Sequence, residues 1–137
     1  MRRILCIPVL LSVLLLAGCA TQKRSDTLTD TLQAYSSTLR WGDFQSAEMF
    51  LEPKYRAAHP LSKLDLERYK QVRVSEYDDG SGPIPAGKDD MQQTVHISLI
   101  NNNTQFERSI VDHQNWHYDA TGQHWWLTSG LPDITQQ

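Results

Sequence analysis

The chain has 137 residues with 13 basic and 16 acidic side chains, and its formal charge of −3 disfavours a nucleic-acid partner. Two cysteines are too few for a disulfide-stapled scaffold, and the length suits one domain able to bury its own core. The start stands apart: Arg2 and Arg3 precede an apolar run from Ile4 to Leu16, broken by Pro8 and Ser12, which is too short for a mature membrane span.

The run ends in Leu16-Ala17-Gly18-Cys19. These four residues resemble the lipobox of bacterial lipoproteins, which implies cleavage before Cys19 and acylation of its thiol and new amino group, palmitate being a typical chain. The resemblance divides the sequence into a signal peptide over 1–18, a lipidated cysteine with a short tether over 19–26, and one domain over 27–132. Ala20, where the enterobacterial retention signal would place Asp, implies an outer-membrane anchor facing the periplasm. Acyl chains hold a protein at about 0.8 kcal/mol per buried methylene without any membrane-spanning helix. Cys6 leaves with the leader and Cys19 is consumed by lipid, so no thiol or disulfide chemistry is expected. Removing 18 of the 137 residues leaves 119, with 11 basic side chains against 16 acidic ones, a charge of −5. Lys23 and Arg24 lie just past the lipid. Residues 20–26 are polar and short and even fully extended would reach only about 25 Å, so the domain must sit close to the bilayer.

Leu28, Leu32, Tyr35 and Leu39 recur at steps of four, three and four, which predicts a helix from Thr27 to about Trp41-Gly42. Asp43 suits the N-cap of a second helix that turns Phe44, Ala47, Phe50 and Leu51 inward and closes at Pro53. A third helical piece, with Leu61, Leu64 and Leu66, is capped by Ser62. The period then becomes twofold. Val72 and Val74 mark a first strand, and Gly80 to Gly87 reads as a long loop. Val95, Ile97 and Leu99 alternate cleanly with Thr94, His96 and Ser98, so one face is core. After the Asn101-Asn102-Asn103 turn a strand carries Phe106, Ile110 and Val111. A last hairpin turns at Asp119-Ala120-Thr121-Gly122, and a three-residue loop would pair Tyr118 with His124, His117 with Trp125 and Trp116 with Trp126.

Helices followed by about four antiparallel strands, the junction Arg40-Trp41-Gly42-Asp43-Phe44 and the aromatic hairpin from Trp116 to Leu127 resemble the NTF2-like fold. The resemblance covers 27–132 and implies an α+β domain whose N-terminal helices pack on a curved sheet, making a cone that is either filled core or a pocket. Its members include enzymes and adaptors. A small helix-helix-sheet accessory of the outer-membrane barrel assembly machinery is similar in outline, with less sequence before the sheet and fewer strands.

Enzymatic NTF2-like proteins place a His and an acid inside the cone, which makes His96, Asp112 and His113 the catalytic candidates here. Alternation sends His96 away from the core side of its strand. His113 and His117 share a face with Asn115, while the preferred register puts His124 on the other face, so a metal cluster is not expected. Asp78-Asp79 and Asp89-Asp90 flank the Gly/Pro loop without the spacing of a calcium loop. No phosphate loop, nucleophile elbow or His-Glu-x-x-His motif occurs. Trp116, Tyr118, Trp125 and Trp126 are the expected interaction surface, since the adjacent tryptophans must face opposite ways and one needs a cover, which a partner or another part of this chain could equally supply. The expectation is a non-catalytic, lipid-anchored binding module that needs no cofactor. Its partner is another envelope protein or a small apolar ligand, with a homodimer through the sheet as a further assembly. The other reading is a small periplasmic enzyme using a His/Asp pair in the cone.

Overall fold

The computed structural model describes residues 6–136, with side chains from residue 18 onward. Arg2, Arg3 and the side chains of the apolar leader, including Leu16 and Ala17, lie outside the described residues.

Helix α1, Cys6–Arg40, packs its stripe of Leu28, Tyr35 and Leu39 against the inner face of a curled antiparallel sheet. It begins well before Thr27, where the helix was expected to start, and residues 20–26 are part of it. Short helices follow: α2 (Phe44–Ala47), a 3-10 turn (Glu48–Phe50), α3 (Pro53–Ala58) and α4 (Lys63–Lys70). Asp43 caps α2 by accepting from the Ser46 N–H at 2.8 Å, and Ser62 with Asp65 forms a capping box on α4. Pro53 opens α3 where a close was expected, because a residue with no N–H loses nothing in a first helical turn. Just before it, Leu51 bridges Leu127 and the Glu52 N–H donates to the Leu127 carbonyl, which ties this stretch to the last strand.

The sheet runs β1 (Val72–Asp78), β3 (Asp90–Asn101), β4 (Glu107–Asp119) and β5 (His124–Leu127), all antiparallel. The expected loop contains a two-residue strand, β2 (Ile84–Pro85), which extends the β1 side of β3. Val72, Val74, Val95, Ile97, Leu99, Ile110, Trp116, Trp125 and Leu127 fill the inner face, and Phe44, Ala47 and Leu51 join the same core. The α+β architecture with helices on a curved antiparallel sheet of four main strands is as expected.

Two strand details differ. Phe106 precedes β4, and the left-handed φ of 59° at Gln105 turns its ring out to solvent. The final hairpin pairs Asp119 with His124, Tyr118 with Trp125, His117 with Trp126 and Trp116 with Leu127, one residue away from the expected register. The loop has four residues because Gln123, not Gly122, takes the left-handed φ, 51°, while the Asp119 carboxylate accepts from the Thr121 N–H.

Beyond β5 the chain lies along the remaining edge of β4. The Thr128 N–H donates to the Asn115 carbonyl, the Asn115 N–H to Ser129 Oγ, and the Gln136 side-chain amide exchanges both hydrogen bonds with the Val111 backbone. The Arg108 guanidinium donates to the carbonyls of Ile134 and Gln136. Ile134 is buried, so packing continues past the expected limit at residue 132.

Candidate functional site

Alternation along β3 and β4 sorts the candidates before any distance is measured. Asp112 pairs with Val95 and faces inward, whereas His113 pairs with Thr94 and His96 with Val111, both on the outer face. His113 Nδ1 lies 3.3 Å from Thr94 Oγ1, away from the carboxyl that precedes it in the chain. The His/Asp pair required by the enzyme reading is therefore not assembled, for successive residues of a strand cannot share a face.

Inside the cone Asp112 belongs to a polar row. The Gln114 amide donates to Asp112 Oδ2 at 2.8 Å and to the Tyr77 hydroxyl at 3.0 Å, and its carbonyl accepts from Trp116 Nε1 at 3.2 Å. Burial holds the Asp112 carboxyl above the usual carboxylate range, opposed by the Gln114 hydrogen bond and by His113. Burial likewise raises Tyr35 well above its ordinary value and pushes Tyr69 up to about 12. The Tyr35 hydroxyl and the Gln93 carbonyl are buried without a hydrogen-bond partner. A cavity of about 260 Å³ between α1 and the β1 side of the sheet is lined by Thr29, Gln33, Ser36, Tyr77, Asp79 and Gln93 with Leu32 and Pro83. Its exposed wall is more apolar than polar, and no histidine lines it. A carboxyl held by amide and aromatic neighbours can donate or accept a hydrogen bond, but it has no base beside it to relay a proton.

The expected aromatic surface divides. Trp116 and Trp125 are core residues, 0 % and 2 % exposed, since the observed register turns Trp125 inward with Tyr118 and Leu127 inward with Trp116. Tyr118 is half-buried against Trp125, and Trp126 lies on the outer face against His124 at 4.2 Å. The register also moves His124 to the face of His113 and His117, contrary to expectation. Even so, no group of three or more His, Cys, Asp or Glu is placed to hold a metal among the described residues. The acidic pairs are engaged elsewhere: Asp78 accepts from the Gly80 N–H, Asp89 pairs with Arg24 at 3.0 Å, and Asp90 with His117 at 2.7 Å. Cys19 is exposed and free.

Two features escaped the sequence reading. Trp41, 88 % exposed at the end of α1, is the most open large apolar side chain described, and its place beside a turn glycine was the available signal. Arg24 is clamped: its guanidinium donates to Asp89 and to the Lys88 carbonyl and lies over the rings of Tyr118 and Trp125, 4.5 and 5.1 Å from their centres. Trp125 Nε1 donates to the Arg24 carbonyl. Partners 65 and 101 residues away leave no local trace.

No protein-family model matches the chain, and no curated protein matches it either.

Proposed function

We propose that this chain is a lipoprotein of the cell envelope, held at the outer membrane through acylated Cys19 and facing the periplasm, whose domain binds a partner and catalyses nothing. One observation carries the non-catalytic reading: the cone is plugged by Leu28, Tyr35, Val95, Ile97 and Trp116, and the four histidines of the sheet lie outside it. The helix-on-curved-sheet cone supports the likeness to NTF2-like proteins, whose members include adaptors without catalysis. The apolar centre of the cone is filled by the chain's own side chains, and the 260 Å³ cavity beside α1 carries Asp79, Gln33 and Gln93 in its wall, which favours another envelope protein over a small apolar ligand. Exposed Trp41 and outward Trp126 are the aromatic groups that such a partner would cover.

The anchor is tested by Cys19→Ala, which should accumulate as an uncleaved precursor carrying no acyl chain. Membrane association of that variant in mature form would refute the anchor. The binding reading is tested in intact cells by a photo-crosslinking amino acid introduced at Trp41 or at Trp126. A discrete adduct with one envelope protein is expected from at least one position, and none from either, with anchoring normal, would refute it.

A further inference from the structure

We infer that the domain is held in a fixed orientation on the bilayer, with the β4–β5 turn and Lys88 as its lipid-facing end; this rests on the acylation of Cys19 proposed above. Helix α1 is continuous from Cys19 into the core, and Arg24 is the point at which it is locked. Arg24 is five positions beyond Cys19, an axial distance of about 7.5 Å at the helical rise. One residue nearer the lipid, Lys23 Nζ donates to Gln123 Oε1 at 2.7 Å, which puts the hairpin turn level with this part of α1. The helix runs away from that end, since Thr29, Leu32 and Ser36 lie beside Tyr77 and Gln93, and Ser37, Arg40 and Trp41 lie beside Val74 and Ser75. Cys19 therefore projects beyond the turn, and lipid inserted there brings residues 120–123 and Lys88 to the headgroups.

Charge at this end is balanced rather than basic. Asp89 is neutralised by Arg24, while Asp119 and Asp26 keep their charges and accept from the Thr121 N–H and from Gln22, so the orientation rests on the clamp and not on attraction to anionic lipid. The Lys88 ammonium has no acceptor among the described residues and is the cation left to meet a headgroup phosphate, while Lys23 is held by Gln123. A flexible tether would let the domain tumble; the clamp removes that freedom.

The test uses the mature lipidated protein in vesicles of phosphatidylethanolamine and phosphatidylglycerol. Cys19 is blocked by lipid, so Thr121→Cys or Asn103→Cys supplies the only thiol for a spin label. Strand β4 separates these sites by roughly 40 Å at the rise of an extended strand. Relaxation by a nickel chelate carried on lipid headgroups is expected to be at least fivefold greater at position 121 than at 103. Arg24→Gln, and independently Asp89→Asn, should reduce that ratio towards one while the protein stays folded and vesicle-bound. Equal relaxation at the two positions in the parent protein, with Cys19 shown by mass to be acylated, would overturn the orientation and leave the anchor standing. A ratio unchanged in both clamp variants would overturn the role of Arg24, and an unacylated Cys19 would overturn both proposals.

Discussion

Tyr35→Phe should stabilise this protein, the reverse of the usual result for removing a tyrosine hydroxyl. Tyr35 is fully buried, and its hydroxyl finds no partner. Its ring stands edge-on to Phe50 and Trp116 at 5.4 and 5.3 Å, contacts that phenylalanine retains. A hydroxyl buried without a hydrogen bond costs about 1–3 kcal/mol, and the small void left by the oxygen takes back part of the gain, so the net stabilisation is about 1–2 kcal/mol. Unfolding entropy near 2.1 cal/mol/K per residue gives the 119 residues from Cys19 onward roughly 0.25 kcal/mol/K, so Tm should rise by about 4–8 °C. In urea the midpoint should move up by roughly 0.5–1 M for a slope near 2 kcal/mol/M, with the slope itself unchanged. A loss of more than about 0.5 kcal/mol would refute the reasoning, because it would mean that the hydroxyl is bonded in solution to a buried water or ligand.

Asp112→Asn should stabilise the protein at neutral pH and do little in acid. The folded-state pKa is raised by burial, so the stability carried by the bound proton is complete below the unfolded value, about 3.9, and is lost as pH rises through the folded one. Asparagine keeps an acceptor for the Gln114 amide, so melting curves from pH 3 to 8 should diverge with rising pH; a variant less stable at pH 7 would refute this. Gly130→Ala should cost more than 2 kcal/mol: its φ of 86° disfavours any side chain by about 1–2 kcal/mol, and the new Cβ would stand 2.6 Å from the Tyr55 hydroxyl oxygen. In a Tyr55→Phe background the loss should shrink towards the backbone part, the ring carbon at 3.2 Å remaining, and equal losses in the two backgrounds by urea denaturation would show that the clash with the hydroxyl is not real.

Legibility in the sequence followed the range of the interactions. The stripe Leu28, Leu32, Tyr35 and Leu39, the alternation through Val95 and Leu99, and the caps Asp43 and Ser62 are settled within one or two turns of chain, and each was readable. The inward placement of Asp112 followed from alternation once β4 was located. What was not readable depended on distant partners: the helicity of residues 20–26 accompanies a clamp on Asp89 and Trp125, and the inward turn of Trp125 depends on which residue of a four-residue loop goes left-handed. The choice between Gly122 and Gln123 slipped the register by one and exchanged the two adjacent tryptophans between core and surface.

Closure of the β4 edge by residues 128–136 has a kinetic consequence. Those residues come after every strand in chain order, so a chain emerging amino end first from synthesis presents the bare backbone of Val111 and Asn115 until the strap arrives. During that interval the half-finished sheet is a template for any extended neighbour, and the Gln136 amide is the stopper that retires it.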